Sequence, residues 1–193
     1  RMNKILYLHG FNSSPDSHKA RVLHDYMKRT GLSDRIDIPE IPPVPADAIE
    51  LLQQHAEEII KRYTLSLVGS SLGGFYATWL AEKYNCTAVL INPAVKPHEL
   101  LRKYLGENIN YYTDESWVLD EEHIRQFREL YIDKISNPQR YLLMLQTGDE
   151  TLDYREALEK YSTSPSIVEQ GGSHEFSEFE RHLDKILDFC DVT

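Results

Sequence analysis

Six short apolar runs alternate with amphipathic segments along the whole chain. Between the runs, apolar residues recur at helical spacing. This alternation is typical of a parallel sheet covered by helices on both of its faces. We therefore predict an α/β fold with a mostly parallel sheet of about six strands, which lie at 5–9, 36–38, 65–69, 88–92, 141–146 and 166–169.

Three segments carry apolar stripes that predict helices packed on this sheet. The first opens at Ser14, an N-cap residue, followed by Pro15 at the first helical position, and runs to Met27. The second covers 49–60, and the third covers 176–190 and closes the chain. We interpret these stripes as core packing and assign none of them a functional role.

The segment 97–138 interrupts the alternation. It has no clear strand, but it carries several aromatic residues among many charges, including Tyr104, Tyr111, Tyr112, Trp117 and Phe127. An insertion of this length predicts a lid or a substrate wall, and two ordinary surface helices are the alternative. A chain of 193 residues that is 41% hydrophobic can bury one core, so we predict a single domain over 1–193.

Charge and cysteine content limit the partners and the compartment. The 21 Lys and Arg against 31 Asp and Glu give a net charge of −10, which disfavours binding to nucleic acid or to acidic membranes. No apolar window is long enough to span a bilayer. Cys86 and Cys190 fit neither a metal spacing nor a disulfide framework, and no export signal is visible, so we expect a cytoplasmic protein.

The most specific motif is Gly-Ser-Ser-Leu-Gly, which begins at Gly69 directly after an apolar run. A nucleophile on a tight turn from strand to helix needs small neighbours, and Gly69 and Gly73 occupy those two places. Only Ser71 is centred between the glycines, whereas Ser70 is not. We predict Ser71 as the nucleophile, and a helix N-cap serine is the alternative role.

A serine nucleophile needs a base and an acid that orients the base. His174 follows the last predicted strand, and Asp149 follows the strand before it. The carboxyl ends of parallel strands share one edge of the sheet, so these residues should meet Ser71 there. Asp153 and Glu150 are rival acids, and Asp149 could instead cap the next helix. The chain order serine, aspartate, histidine is that of α/β-hydrolases.

Backbone amides should stabilise the oxyanion of such a reaction. The amide of Leu72 is one predicted donor, and Phe11, in the loop after the first strand, is the other, with Asn12 as the alternative. His9 is predicted to support that loop by hydrogen bonding. We expect no metal and no cofactor, because the sequence has neither a metal-ligand spacing nor a nucleotide-binding fingerprint.

These blocks together resemble a known family, the YqiA-type bacterial esterases. The matching segments are Leu-Tyr-Leu-His-Gly-Phe-Asn-Ser-Ser-Pro from Leu6, Val-Gly-Ser-Ser-Leu-Gly-Gly from Val68, Asn-Pro-Ala-Val from Asn92, Gln-Thr-Gly-Asp-Glu from Gln146 and Gly-Gly-Ser-His from Gly171. The resemblance implies a single-domain α/β-hydrolase that cleaves short activated esters, with thioesterase activity on acyl-CoA proposed for members. It also implies that Ser71, Asp149 and His174 form the triad, with Phe11 and Leu72 at the oxyanion hole.

Three functions follow as hypotheses. The first is a serine hydrolase that cleaves small-molecule carboxylic esters through an acyl-enzyme on Ser71. The second is an acyl-CoA thioesterase with the same triad, in which Lys96, Arg102 and Lys103 would form a basic edge for the phosphates. The third is a non-catalytic protein of the same fold that binds a ligand or a partner.

Overall fold

The computed structural model describes residues 1–193. The strands are β1 (Asn3–Leu8), β2 (Ile36–Asp37), β3 (Thr64–Ser70), β4 (Thr87–Ile91), β5 (Gly106–Ile109), β6 (Ser116–Leu119), β7 (Tyr141–Gln146) and β8 (Ser166–Glu169). The helices are α1 (His18–Arg29), α2 (Pro45–Ile60), α3 (Leu72–Tyr84), α4 (Pro97–Leu100), α5 (Glu121–Leu130), α6 (Tyr154–Lys160) and α7 (Leu183–Phe189). Six strands form one sheet in the order β2-β1-β3-β4-β7-β8, and β5 and β6 form a separate hairpin.

All six predicted strands belong to the main sheet, and every pairing in it is parallel. Their ends lie within two residues of the predicted ends, and β7 and β8 have the predicted bounds. The α/β class is therefore confirmed. The order also confirms that the carboxyl ends of β1, β3, β4, β7 and β8 lie at one edge, where the candidate site residues follow.

Helices cover both faces of the sheet, as predicted. In β1, Leu6 and Leu8 pack into a layer that includes residues of α2, α3 and α5. The alternate residues, Ile5 and Tyr7, pack into a second layer with residues of α1 and α7. Both sets are fully or almost fully buried. This alternation follows from the two-residue period of a strand, and it fixes which face each helix covers.

Two predicted helix starts are wrong. Helix α1 begins at His18, because the Ser14 hydroxyl accepts a hydrogen bond from the Asp16 amide (2.9 Å) and closes a local turn instead of capping a helix. The closing stripe begins outside a helix as well. Phe176 has φ of 64°, in the left-handed region, and the chain becomes helical only at the 3₁₀ turn Phe179–His182 before α7.

The insertion 97–138 differs most from its prediction, because it contains the antiparallel hairpin of β5 and β6. It also contributes to the core. Leu101, Leu119, Ile124 and Phe127 are all buried in the same layer as α2 and α3. The segment is therefore a packed wall of the domain, made of a hairpin and short helices.

Three observations describe the chain as a whole. None of its helices combines the length and the apolar character that a bilayer crossing requires. Cys86 and Cys190 are free thiols. No group of three or more His, Cys, Asp or Glu side chains is placed to hold a metal ion.

Candidate active site

Ser71 lies on a sharp turn between β3 and α3. Its backbone has φ of 57° and ψ of −119°, a conformation that residues with a side chain rarely adopt. Two hydrogen bonds join the turn to the end of β4 and to the segment after it. The Ser71 amide donates to the Ile91 carbonyl, and the Ala94 amide donates to the Ser71 carbonyl, both at 3.0 Å. The end of β4 thus fixes the strained serine in place.

The two glycines of the motif are required by close backbone packing. A Cβ atom on Gly73 would overlap the carbonyl groups of Leu8 and His9, and one on Gly69 would lie 2.8 Å from the Gly74 nitrogen. Real Cβ atoms do not approach other atoms so closely. Helix α3 can therefore begin beside the end of β1 only with glycine at these positions, as the motif predicts.

His174 lies between Ser71 and Asp149 and is within hydrogen-bond distance of both. The His174 Nε2 atom is 3.0 Å from the Ser71 Oγ atom. The His174 Nδ1 atom is 2.9 Å from Asp149 Oδ2 and 3.1 Å from Oδ1. The Asp149 side chain is 2% exposed and that of His174 is 16% exposed. The structure thus brings together the three residues that the sequence singled out, in the geometry that a general base requires.

The surroundings of Asp149 keep its carboxyl group ionised. Burial alone would raise its pKa, but the hydrogen bond from His174 and those from the amides of Leu152 and Thr151 outweigh burial, so the pKa is lower than usual. An ionised carboxylate can only accept hydrogen bonds. His174 Nδ1 must therefore carry a hydrogen, and in the neutral ring Nε2 is then free to accept the Ser71 proton.

The rival acids have other partners. The Glu150 carboxylate accepts a hydrogen bond from the His174 backbone amide (2.9 Å), so it contacts the main chain of the loop. Asp153 caps α6 through the Arg155 amide and also pairs with the Arg155 guanidinium. Asp149 is thus the only one of the three carboxylates that hydrogen-bonds to the imidazole ring of His174.

The predicted oxyanion donors lie beside Ser71. Phe11 and Leu72 both line the pocket into which Ser71 opens. The Phe11 amide makes no hydrogen bond within the protein, and the Leu72 amide is in the first turn of α3, where helical amides have no partner in their own helix. Both amides are therefore available to an oxygen of a ligand.

His9 has the supporting role that was predicted for it. It is 4% exposed, its Nδ1 atom is 3.0 Å from the Gly10 carbonyl oxygen, and its Nε2 atom accepts a hydrogen bond from the Ile41 amide (2.9 Å). The ring is therefore neutral. Burial lowers the pKa of His9, although the hydrogen bond to Gly10 opposes this shift.

A comparison with protein families now places the chain. The profile of UPF0227, described as an uncharacterised protein family, matches residues 4–191. The chain belongs to the UPF0227 family. The UPF0227 protein YcfP of Salmonella gallinarum is 25% identical over 191 residues, which cover 96% of this chain and 97% of YcfP. YcfP of Escherichia coli O9:H4 has the same identity and coverage. The family resemblance predicted from the motifs is confirmed.

Solved structures share the fold of this UPF0227 protein. The α/β hydrolase domain-containing protein 10 from mouse matches with a TM-score of 0.72 and 16% identity, over 99% of this chain and 90% of that one. Est1E from Butyrivibrio proteoclasticus, with ferulic acid bound, matches with a TM-score of 0.71 and 13% identity, over 98% and 88% of the two chains. At such low identity these matches show the α/β-hydrolase fold, as predicted.

Two buried polar residues that the sequence analysis did not select hold the His174 loop of the UPF0227 chain. Asn92, after β4, donates to the carbonyl groups of Ser173 and His174 (both 3.0 Å) and accepts from the Gln146 amide. The Gln146 side chain accepts from the amides of Ser173 (3.0 Å) and Ser177 (2.8 Å). Both residues are 2% exposed. Each is a polar residue at the end of a buried apolar run, and this pattern could have indicated their role from the sequence.

For the ester hydrolysis that the sequence leads us to expect, Asn92→Asp should lower kcat about 10- to 100-fold with little change in KM. The carboxylate keeps an acceptor for Gln146 but removes both donors to the His174 loop, and a shift of about 1 Å in a catalytic group can cost 100-fold. Steady-state kinetics measures this. Asn85→Asp is the matched control, because Asn85 is also left-handed, at φ of 54°, but is exposed at the end of α3. Equal kinetics for both variants would contradict the role of Asn92.

The hairpin of the insertion is attached to the loop that carries Phe11. The Trp117 indole donates to the Asn12 side-chain oxygen (2.7 Å), and the Asn12 side-chain nitrogen donates to Asn108 (3.3 Å). The Tyr111 amide also donates to the Asn12 carbonyl (3.3 Å). The Phe11 ring packs on Trp117 with ring centres 5.7 Å apart. Asn12, the alternative oxyanion donor, thus uses its side chain and its carbonyl to join the hairpin to the loop.

Proposed function

We propose that this UPF0227 protein is a serine hydrolase that cleaves small-molecule carboxylic esters through an acyl-enzyme on Ser71. The observation that carries the proposal is the continuous chain of contacts from Ser71 Oγ to His174 Nε2 (3.0 Å) and from His174 Nδ1 to Asp149 (2.9 Å). A serine hydroxyl becomes a strong nucleophile only when a base can take its proton, and this geometry supports that transfer.

In the proposed acylation step, neutral His174 takes the Ser71 proton while Oγ attacks the carbonyl carbon of the ester. The imidazolium that forms is stabilised by the buried Asp149 carboxylate. The amides of Phe11 and Leu72 would donate to the oxyanion. In a model protease, removing one such donor raises the activation free energy by about 3–4 kcal/mol. His174 then protonates the leaving alcohol, which leaves an acyl group on Ser71.

In the proposed deacylation step, His174 activates a water molecule that attacks the acyl carbonyl carbon. The proton returns to Ser71 Oγ as the carboxylic acid leaves, so the enzyme is regenerated. The same groups therefore serve both halves of the reaction. Solved proteins that share this fold include one named as an esterase, Pf2001 of Pyrococcus furiosus, and this is in line with the proposal.

A thioester substrate would use the same steps with a thiol as leaving group. The basic edge considered for CoA phosphates gives this alternative little support, because the Arg102 guanidinium is paired with both carboxylate oxygens of Glu121 (3.1 Å each). Lys103 lies over the ring of Tyr104. We therefore place carboxylic esters first among the substrates to be tried.

The proposal is tested by brief treatment with a fluorophosphonate, followed by intact-mass spectrometry. We expect one adduct on the wild-type chain and none on Ser71→Ala, and His174→Ala should react much more slowly because its serine is not activated. Ser70→Ala is the matched control and should label like wild type. The absence of an adduct on folded wild-type protein would reject the hydrolase and favour the non-catalytic binding protein.

A further inference from the structure

The pocket beside Ser71 has two sides of different chemistry. Its volume is about 430 Å³. Leu72 and Leu101 line it from the layer of α2 and α3, with Pro97, Leu100 and Tyr104 of the insertion beside them. The opposite side is polar. It is formed on the α1 face of the sheet, where the pocket is lined by Tyr7, Ser17, Lys19, Ser70 and Glu175.

Lys19 is the only lysine or arginine that lines this pocket, in a chain of net charge −10. It is 5% exposed, although lysine is rarely buried without a full set of partners. Its ammonium group donates to the Glu175 backbone carbonyl (2.9 Å) and has one longer contact, 3.4 Å, with the Glu175 carboxylate. An ammonium group has three hydrogens to donate, so these contacts leave capacity for a ligand.

The Glu175 carboxylate neutralises Lys19 only in part. The Glu175 side chain is 78% exposed, and an ion pair with a solvated partner is weak. Burial lowers the pKa of Lys19, and the carboxylates of Glu175 and Asp149 oppose that shift. A ligand anion that displaced water from the pocket would also raise the pKa of Lys19, and it would therefore stabilise the charged ammonium group.

We infer that Lys19 is a specificity-determining residue and that the substrate ester carries a carboxylate that binds it. One ammonium group beside Glu175 matches a single negative charge, as a carboxylate has, better than the two charges of a phosphate monoester. The apolar side of the pocket would then hold the uncharged half of the ester. This inference rests on the proposed esterase function and names the substrate class within it.

The test uses two pairs of esters that differ only in charge. In the acyl pair, the p-nitrophenyl monoester of adipic acid is compared with the p-nitrophenyl ester of its monoamide. In the alcohol pair, the butyrate esters of m-hydroxybenzoic acid and m-hydroxybenzamide are compared. We expect kcat/KM to favour the carboxylate in one pair by roughly 10- to 100-fold, the range for a hydrogen bond between charged groups. The pair that responds identifies the half of the substrate that carries the charge.

Variants of the chain distinguish recognition of the substrate carboxylate from support of the His174 loop. Lys19→Met should abolish the preference for carboxylate while the neutral ester is still cleaved, and Lys19→Arg should restore part of it. Lys28→Met is the matched control, because Lys28 is exposed on the same helix and its loss changes the net charge equally. Glu175→Gln should increase the preference, because it removes the competing carboxylate.

Several outcomes would overturn the inference. An equal fall in kcat/KM for charged and neutral esters in Lys19→Met would mean that Lys19 only supports the His174 loop through the Glu175 carbonyl, while the esterase function would stand. If wild-type protein reacts with the fluorophosphonate but hydrolyses none of these esters, the inference is also rejected. If Lys19→Met does not fold, Glu175→Gln decides, because it keeps the backbone carbonyl that Lys19 contacts and removes only the competing carboxylate. A preference for the carboxylate ester that is unchanged from wild type in Glu175→Gln would then reject the anion site.

Discussion

Replacing Ser71 by alanine should lower kcat/KM for a neutral p-nitrophenyl ester by about 10⁵- to 10⁶-fold, as loss of the nucleophile does in a well-studied protease. The variant removes the atom that would carry the acyl group. The amides of Phe11 and Leu72 would remain, so a small residual rate above that of the uncatalysed reaction is expected. Steady-state hydrolysis at high enzyme concentration measures the difference.

The fold of this variant should stay intact. The hydrogen bonds that hold the turn are made by the backbone of Ser71, and alanine retains them. Circular dichroism and thermal unfolding should therefore be close to those of wild type. Ser70→Ala is the control, because Ser70 is a neighbouring serine that also lines the pocket, whereas the hydroxyl that hydrogen-bonds to His174 is that of Ser71. Turnover near the wild-type rate in Ser71→Ala would place the nucleophile elsewhere.

Asp149→Asn should lower kcat by about 10⁴-fold, as the same change does in a serine protease. The reason lies in the hydrogen bonds of the carboxylate. Asp149 Oδ1 accepts from the amides of Thr151 and Leu152 (2.9 Å each), so asparagine would keep its oxygen there and turn its NH₂ group toward His174. Nδ1 would then become the acceptor, and Nε2 would carry the hydrogen and could no longer take the Ser71 proton.

The rival carboxylates supply matched controls for this experiment. Asp153→Asn makes the same chemical change at the cap of α6, and Glu150→Gln keeps an acceptor for the His174 amide. Each should retain kcat within about tenfold of wild type, since neither side chain hydrogen-bonds to the imidazole ring. A larger loss in either control than in Asp149→Asn would transfer the role of orienting acid to that residue.

Much of the fold and the candidate site was predictable because both depend on local patterns. A buried strand needs a continuous apolar run, and the turn at Ser71 needs glycine at fixed positions. Once the sheet was expected to be parallel, the positions of Asp149 and His174 after successive strands placed them near Ser71. The structure brings these three residues together as expected, at contacts of 2.9 to 3.0 Å.

The features that were missed depend on contacts between distant parts of the chain. Strands β5 and β6 have four residues each and expose alternate side chains, and their longest apolar run is the three residues Trp117 to Leu119. The N-cap of α1 is Ser17, and the local turn at Ser14 competes with a helix start there. Asn92 and Asn12 gain their roles from partners 81 and 105 residues away, which no local pattern encodes.

In the proposed mechanism, the attachment of the hairpin to Asn12 couples the selection of a substrate to its turnover. Tyr104 and Asn108 line the pocket from the insertion, while the neighbouring Phe11 amide faces the reacting oxygen in the proposed mechanism. Three hydrogen bonds through Asn12 connect the two. Exchanging the hairpin for that of a relative would therefore alter the electrostatics of catalysis together with the shape of the pocket. A new hairpin, whether designed or evolved, would require a compensating change in the loop that carries Phe11.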